Sequence, residues 1–395
     1  MVVSRIPPPA ASLLRRPPSH RLSRFSSAAV SPSATPPPTP ETFSSRRRRW
    51  ETPLFLRPLT HSASRDDLKA FHSWASSLVL SAAAAASRPP HPSDPEPAHL
   101  LRELRWLLQD ASTESFDPHQ LFSSSSSSAA AAISPVPLRA ELGELYGIWR
   151  ERVEERRPLQ YLVGCEHWRD MVLVVREGVL IPRPETEAVV DMVAEVAVTA
   201  AAEGEGGGPW ADLGTGSGAL AVGIARVLGD GKGGKVYATD VSSDAIEVAK
   251  INVQRYGLED KVEIRQGSWF QPLGDLDGKL AGLVSNPPYI PSRHLPGLQP
   301  EVSGHEPWLA LDGGEDGLDH LLHLCNGSSS ALRPGGFFVF ETNGDDQSEF
   351  IADFVTTKCR GCFNGVKIVP DFSGIGRFVT GSGGSSSSHP SSSAA

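Results

Sequence analysis

The chain has 395 residues and a formal net charge of −9 at pH 7; 21% of its residues are charged and 39% are hydrophobic. This length allows about two domains, and only four cysteines argue against a disulfide scaffold. No apolar run reaches the roughly 18 residues that a membrane-spanning helix needs, so we expect no membrane contact.

Residues 1–65 predict a transit peptide. They contain 11 arginines, and their only acidic residues are Glu41 and Glu51. An Arg-rich, Ser-rich and acid-poor segment is typical of organelle targeting. The many Ser and Pro residues favour the chloroplast stroma, with the mitochondrial matrix as the alternative. A disordered basic arm, or a nuclear signal at Arg46–Arg49, would have a similar composition.

Residues 66–157 predict a small helical domain. A capping box at Ser64 and Asp67 suits the start of its first helix, and three apolar stripes recur at helical spacing. The stripes are Leu68, Phe71, Trp74 and Leu78; Leu100, Leu104, Leu107 and Leu108; and Leu138, Leu142, Leu145, Trp149 and Val153. The low-complexity inserts Ala82–Ala86 and Ser123–Ala132 predict surface loops. We interpret the domain as a substrate-recognition domain.

A second domain is predicted over residues 158–380. Its first part, residues 158–187, serves as a connector from the helical domain. Val172–Val175 predicts a strand. The segment Gly178–Glu187 leads into a helix, and its proline spacing and acidic residues suit that start. Because the segment lies beside the glycine-rich turn described next, it suggests a lid or a ledge for a substrate.

A buried strand, a glycine-rich turn and an apolar helix follow one another over residues 210–228. The turn comprises Gly214, Thr215, Gly216, Ser217 and Gly218. Glycines let a cofactor approach the backbone closely, and the helix N-terminus presents polar N–H groups. The pattern also fits the dinucleotide fingerprint, so by itself it does not separate NAD from S-adenosylmethionine.

Two further residues are candidates for the same cofactor site. Asp240 follows the strand Val236–Thr239, at a position where a carboxylate can accept hydrogen bonds from ribose hydroxyls. Trp269 follows a short third strand at residues 261–265. Its ring can cover an adenine face or be buried in the core.

The most informative stretch is Ser285-Asn286-Pro287-Pro288-Tyr289, which follows the apolar strand Leu280–Val284. The prolines end the strand and stiffen a turn at its carboxyl end, where open α/β sheets bind ligands. Asn286 and the Pro287 carbonyl can accept both hydrogens of a planar NH2 group, and Tyr289 can stack on it. Such orientation of a nitrogen towards an electrophile predicts a methyltransferase acting on planar nitrogen.

The remaining residues predict an α/β fold that closes with a pair of strands. A fifth strand ends in Glu341, and Val366–Val369 with Arg377–Thr380 form the pair. The Gly/Ser-rich residues 381–395 predict a disordered tail.

Two pairs of potential metal ligands lack further partners in the sequence. His320 and His323 have no convincing third ligand, and Cys359 and Cys362 have no second pair. We therefore expect no metal site.

Five segments together resemble the release-factor glutamine N5-methyltransferases, the HemK/PrmC family. They are Pro158–Tyr161 with Gly164, Ile181–Glu187, Asp212–Gly218, Ser268–Phe270 and Ser285–Ile290. The resemblance spans about residues 158–380. It implies a seven-strand, Rossmann-like methyltransferase sheet behind a small N-terminal helical domain. It also implies S-adenosylmethionine as methyl donor, held by Gly214–Gly218, Asp240, Trp269 and Asn286.

The resemblance also implies an acceptor. In this family it is the glutamine of the Gly-Gly-Gln motif in class 1 peptide-chain release factors. Asn286 and Pro287 would hold its amide, and Tyr289 would complete the catalytic turn. Pro288, Arg183 and Glu185 are the other expected substrate contacts. We expect a monomer that transfers the methyl group directly and uses no general base.

Two alternatives remain open. The same Asn-Pro-Pro-Tyr chemistry serves methyltransferases of exocyclic amino groups in RNA or DNA, which usually have a basic groove. Residues 158–380 hold 17 Lys+Arg and 31 Asp+Glu, a balance of −14, whereas residues 1–157 hold 20 and 15, a balance of +5. The acidic balance argues against direct nucleic-acid contact. The second alternative is a non-catalytic binding module of the same fold.

Overall fold

The computed structural model describes residues 52–85, 95–113, 116–121, 134–203, 207–229 and 234–384. The predicted transit peptide up to residue 51, the insert Ser123–Ala132 and the tail from residue 385 lie outside these ranges. Among the described residues, no helix is long and apolar enough to cross a membrane.

The first part of the described chain is a helical unit with a small sheet. Its helices are α1 (Arg65–Ala85), α2 (Pro97–Asp110), α3 (Leu142–Glu154) and α4 (Leu159–Val163), and its antiparallel strands are β1 (His61–Ala63) and β2 (Val136–Leu138). The predicted apolar stripes supply most of its core, in which Phe71, Leu104 and Trp149 are fully buried. The indole N–H of Trp149 donates to the Ala75 carbonyl at 3.1 Å, which ties α3 to α1.

The limits of this unit differ from the predicted ones. Leu54 is fully buried in its core and β1 precedes residue 66, so the described unit begins before the predicted boundary after residue 65. Leu159 belongs to the same core, so the unit also extends past residue 157. Leu138, which was predicted to belong to the third helical stripe, lies on β2. A strand of three residues is too short to show a periodic pattern in the sequence. Ala82–Ala85 continue α1 and form no loop, since alanine favours helix.

The second part is a seven-stranded sheet. Its strands are β5 (Trp210–Leu213), β6 (Val236–Asp240), β7 (Val262–Gln266), β8 (Leu280–Ser285), β9 (Leu332–Glu341), β10 (Phe363–Pro370) and β11 (Gly376–Gly383). They lie in the order β10-β11-β9-β8-β5-β6-β7, with β10 and β11 antiparallel to their neighbours and the rest parallel. This arrangement confirms the predicted seven-strand methyltransferase sheet.

Helices cover both faces of the sheet. They are α5 (Glu187–Ala202), α6 (Ala219–Leu228), α7 (Ser243–Arg255), α8 (Pro300–Ser303), α9 (Asp319–Ala331) and α10 (Asp345–Thr357). Trp210 packs into a core with α5 and α6, whereas the next residue, Ala211, packs into a second core with α9 and α10. All six residues of β8 are buried, as expected of a parallel strand covered on both faces.

A hairpin joins the two parts. Its strands are β3 (Cys165–Trp168) and β4 (Met171–Val174); only β4 was predicted. The side chain of Asn252 on α7 accepts from the Val174 N–H at 2.8 Å and donates to the Val174 carbonyl at 2.9 Å. At the other end of the chain, β11 continues to Gly383, three residues beyond the predicted end of the domain at residue 380.

The sheet order creates a crevice between β5 and β8. Strand β5 pairs with β6 on one side and with β8 on the other, so the chain connections leave in opposite directions at this point. Ligands bind at such topological switch points, outside the carboxyl ends of the strands. The Ser285 hydroxyl donates to the Leu213 carbonyl at 2.6 Å and joins the last residues of the two strands.

Candidate active site

The Asn-Pro-Pro-Tyr turn follows β8 and rests on a second loop, residues 311–317. Backbone hydrogen bonds join Ile290 N–H to the Leu311 carbonyl at 3.0 Å and Gly313 N–H to the Ile290 carbonyl at 2.9 Å. A Cβ at Gly313 would lie 2.8 Å from the Tyr289 Cα, and one at Gly317 would overlap the Tyr289 carbonyl oxygen. The glycines of this acidic loop therefore let its backbone approach the backbone of the Asn-Pro-Pro-Tyr turn closely, and the loop supports the turn.

Two adjoining cavities open at the carboxyl edge of the sheet. The glycine-loop pocket has a volume of about 280 Å³ and the tyrosine pocket about 300 Å³. The glycine-loop pocket is lined by Gly178, Val179, Gly214, Gly216, Asp240–Ser242, Ala245, Gly267–Trp269, Pro288, Pro307, Leu309 and His320. The tyrosine pocket is lined by Arg183, Pro287, Tyr289, Ile290, Leu298, Gln299, Val302 and Leu311. Leu180, Asn286 and Ala310 line both, so Asn286 stands at the boundary between them.

The glycine-loop pocket brings together five of the predicted cofactor residues, Gly214, Gly216, Asp240, Trp269 and Asn286. Gly214 and Gly216 have positive φ angles of 76° and 56° and expose backbone to the pocket. A Cβ at Gly214 would lie 3.3 Å from the ring of Trp269. The Asp240 carboxylate accepts from the N–H groups of Gly216 and Ser242, each at 2.9 Å, and burial raises its pKa. A carboxylate has about four lone-pair sites, so it can accept further hydroxyl groups.

Three residues of the predicted glycine turn do not line this pocket. The Thr215 hydroxyl donates to buried Asp212 at 2.6 Å, and the Ser217 carbonyl accepts from the Asn252 side chain at 2.9 Å. Gly218, with a φ of 82°, faces Ala249 on α7, where a Cβ would lie 3.1 Å from the alanine Cβ. These residues shape the turn from behind, because successive residues of a tight turn face different sides.

A hydrogen-bonded network behind the turn connects Asn286 to a buried acid. Asn286 Nδ2 donates to Thr186 Oγ1 at 3.1 Å, and Thr186 Oγ1 donates to Glu341 Oε2 at 2.6 Å. The Tyr289 hydroxyl donates to the other oxygen of Glu341 at 3.1 Å. Glu341 ends β9 and is 1% exposed, and this burial raises its pKa to about 7. The sequence interpretation gave no role to Thr186 or Glu341.

The other predicted substrate residues occupy different places. Arg183 lines the tyrosine pocket, and its Nη2 lies 2.7 Å from the buried Glu306 Oε1. Its positive charge is therefore paired within the protein. Pro288 lines the glycine-loop pocket, on the other side of Asn286. Glu185 lines neither cavity, so its predicted substrate contact has no support in the pocket geometry.

Two segments that were predicted only as irregular connections form walls of the cavities. Gly178–Leu180 of the connector line the glycine-loop pocket, in the place expected of a ledge. Pro307, Leu309 and Ala310 line it from the opposite segment, a short 3-10 turn. A proline beside small and apolar residues forms no recognisable chemical pattern, so these contacts could not be predicted from the sequence.

One group of three potential metal ligands occurs among the described residues. Asp110, Cys165 and His167 offer atoms that lie within 4.8 Å of one another. They are already joined by hydrogen bonds: Asp110 lies 2.9 Å from His167 Nε2 and 3.5 Å from Cys165 Sγ. None of the three lines either pocket. The expectation that the chain holds no metal stays a prediction.

Comparison with known proteins decides the family. Residues 187–295 match the family "Methyltransferase small domain". The chain is 43% identical over 244 residues to a release factor glutamine methyltransferase of Thermosynechococcus vestitus, covering 62% of this chain and 80% of the relative. The identity to the Synechocystis relative of the same name is 44% over 232 residues, covering 59% and 75%. For Gloeobacter violaceus it is 42% over 245 residues, covering 62% and 81%.

The chain belongs to the release factor glutamine methyltransferase family. It is therefore an enzyme that uses S-adenosylmethionine, and the glycine-loop pocket fits this cofactor. The pocket combines a carboxylate with free lone pairs at Asp240, open backbone at Gly214 and Gly216, and the aromatic ring of Trp269. These groups suit a ribose, a charged amino-acid end and an adenine, respectively.

Proposed function

We propose that this enzyme methylates the side-chain amide nitrogen, N5, of the glutamine in the Gly-Gly-Gln motif of class 1 peptide-chain release factors. The observation that carries the proposal is the position of Asn286, whose side chain borders both the glycine-loop pocket and the tyrosine pocket. A nitrogen held there lies between the cofactor site and a separate cavity for the acceptor. The names of the relatives support a release-factor substrate.

Two acceptor atoms are available for the amide of the substrate. Asn286 Nδ2 is engaged with Thr186, and within the described residues no protein group donates to its Oδ1. The Pro287 carbonyl likewise receives no hydrogen bond from the described residues. Together they match the two hydrogens of a planar NH2 group. Tyr289 lines the tyrosine pocket with a flat face that suits the amide plane.

The tyrosine pocket suits an uncharged acceptor side chain with an apolar stem. Leu298, Val302 and Leu311 provide apolar wall, and the charge of Arg183 is paired with Glu306. The methylene groups of a glutamine can pack on these residues while its amide reaches Asn286. A carboxylate at the same place would face two acceptor oxygens and be repelled.

The residues of this chain lower the barrier by orientation and electron donation. When bound, S-adenosylmethionine supplies a methyl group on a positively charged sulfur. An amide nitrogen is a weak nucleophile because its lone pair is delocalised. Asn286 Oδ1 and the Pro287 carbonyl, by accepting both amide hydrogens, increase the electron density on nitrogen and fix its line of approach. The proton leaves after transfer, so no residue is assigned as a general base.

We place the reaction in the chloroplast stroma. The Arg-rich, acid-poor residues 1–51 support organelle targeting, and the cyanobacterial origin of the relatives supports a plastid over a mitochondrion. The enzyme would act as a monomer on the protein factor without contacting nucleic acid. A fluorescent fusion of the full chain tests the compartment: plastid fluorescence supports the proposal, and mitochondrial fluorescence contradicts it.

Mass spectrometry tests the reaction. The full chain is incubated with labelled S-adenosylmethionine and purified class 1 release factors of plastids and mitochondria. We expect one added methyl group, mapped to the Gly-Gly-Gln glutamine, and no addition with the Asn286→Ala variant. A release factor in which this glutamine is replaced by glutamate is the matched control. A methyl group on any other residue, or equal labelling of the control factor, would contradict the proposal.

A further inference from the structure

The orientation of the Asn286 side chain decides whether the site can bind an NH2 group. An asparagine amide presents either an acceptor oxygen or a donor NH2, and only the oxygen can accept from the amide of the substrate. Asn286 is partly exposed and borders both pockets, so packing alone does not prevent the flipped orientation. A partner with a fixed position must select one of the two orientations of the Asn286 amide.

The network behind the turn contains such a partner. Glu341 Oε2 is 2.6 Å from Thr186 Oγ1, which is in turn 3.1 Å from Asn286 Nδ2. Glu341 and Thr186 are 1% and 4% exposed, and neither lines a pocket. They cannot contact a ligand in either cavity, so any effect they have on the reaction is exerted through Asn286 and Tyr289.

We propose that Glu341 and Thr186 are positioning residues that hold the Asn286 amide with Oδ1 towards the acceptor. This inference rests on the proposed function, because it assumes that the acceptor is an NH2 group. An ionised carboxylate only accepts hydrogen bonds, so the Thr186 hydroxyl must donate its single hydrogen to Glu341. The oxygen of Thr186 is then left with lone pairs only, and it selects the NH2 end of Asn286. The Tyr289 hydroxyl donates to the same carboxylate, so one anion fixes two residues of the turn.

Protonation of Glu341 weakens this selection. A neutral acid carries a hydrogen of its own and can donate to Thr186, which then can donate to Asn286 and admit the flipped amide. Among the described residues, four side chains influence the protonation of this carboxylate: Thr186 and Glu185 before α5, Tyr289 after β8, and Arg377 on β11. Thr186 and Tyr289 donate to it, Arg377 favours its ionised form and Glu185 opposes it. Burial is the largest influence and raises the pKa to about 7.

Thr186 offers a matched pair of variants. Thr186→Val keeps the shape of the side chain but removes the hydroxyl, whereas Thr186→Ser keeps the hydroxyl. We expect Thr186→Val to lower kcat for release-factor methylation by about 10- to 100-fold, since misorientation of reacting groups has effects of this size. Thr186→Ser should restore most of the rate. A single cooperative urea-unfolding transition in both variants shows that they are folded.

The Glu341→Gln variant distinguishes the titration of Glu341 from the titration of other groups. We expect kcat of the parent to fall by about 3- to 10-fold as the pH is lowered through about 7, and the variant to lack this fall. Burial also raises the pKa of Asp212 and Glu166 to about 7, and both remain in the variant. An acidic fall that persists in Glu341→Gln belongs to a group other than Glu341 and overturns the inference.

Acceptor binding gives a readout without catalysis. Calorimetry with an unmethylated peptide that contains the Gly-Gly-Gln motif should show weaker binding to Thr186→Val than to Thr186→Ser. Equal peptide affinity and equal kcat in these two variants would overturn the inference. A parent enzyme that transfers methyl groups but not to the glutamine would contradict the proposed function. The same result would remove the basis of this inference, whatever the variants do.

Discussion

Arg156 and Glu301 form a bidentate ion pair between the helical unit and the wall of the tyrosine pocket. Arg156 Nε lies 2.9 Å from Glu301 Oε1, and Arg156 Nη2 lies 2.6 Å from Glu301 Oε2. Buried Arg152 reaches the same carboxylate at 3.0 Å while it also pairs with Glu103. Bidentate pairs of this kind fix geometry as well as adding energy. Because Glu301 lies on α8, between Gln299 and Val302, the helical unit positions one side of the tyrosine pocket.

Replacing Glu301 should weaken acceptor binding more than it slows chemistry. We expect Glu301→Gln to raise KM for the release factor by about fivefold, with kcat changed by less than about twofold, because it loosens a wall and touches no reacting atom. Glu154→Gln is the control, since the Glu154–Arg150 pair is exposed and 4.0 Å long. Steady-state kinetics with the intact release factor checks this prediction. A fall in kcat with constant KM would count against it.

The close approach of the acidic loop to the turn predicts a glycine requirement. Gly317 has a φ of 76°, and an added Cβ would overlap the Tyr289 carbonyl. We expect Gly317→Ala to displace the turn and lower kcat/KM by at least about tenfold. At Gly274 an added Cβ meets nothing within 4 Å, so Gly274→Ala is the control. Equal activity of the two variants would show that the loop does not support the turn.

Burial of Leu54 predicts that the fold requires residues before position 66. Leu54 is 0% exposed, whereas Leu56 on the same 3-10 turn is 44% exposed. Leu54→Ala should lower the free energy of unfolding by about 2–4 kcal/mol, and Leu56→Ala by less than about 0.5 kcal/mol. Urea unfolding checks both. Similar values for the two would mean that this turn does not belong to the cooperative unit.

The sequence was sufficient to predict the seven strands of the sheet, although β10 and β11 extend beyond their predicted ranges. Strands such as β8 are covered on both faces and read as continuous apolar runs, and the glycine and proline residues that end them mark the turns. The positions of Asn286, Asp240 and Trp269 at the pockets followed from these ends. Short strands escaped recognition: β1 and β2 have three residues each, too few to show an alternating pattern.

The direction in which each side chain points could not be predicted from the sequence. Thr215 and Gly216 are neighbours, yet one faces Asp212 and the other faces the pocket. Thr186 and Glu341 are 155 positions apart and meet only because α5 and β9 converge on the turn. A segment such as Thr186-Glu187 signals a helix start by local chemistry, and nothing in that chemistry reveals a partner on a distant strand.

Asp212 predicts a pH dependence of stability. Its carboxylate is buried, Oδ1 has no hydrogen-bond partner within the described residues, and burial raises its pKa to about 7. The folded state therefore holds a proton that the unfolded chain has released above about pH 4. This contribution to stability is fully present below that pH and is lost as the pH rises towards about 7. Urea unfolding between these values should show a shallower decline for Asp212→Asn than for the parent, and an unchanged decline would assign it to other groups.

The most direct test of the account is a competition for the methyl group. The full chain is given labelled S-adenosylmethionine together with a plastid class 1 release factor and total plastid RNA and DNA in one reaction. The account predicts label in the release factor, on the Gly-Gly-Gln glutamine, and none in either nucleic acid. Label in RNA or DNA, with an unmodified release factor, would contradict it and assign the Asn-Pro-Pro-Tyr turn to a nucleic-acid amino group.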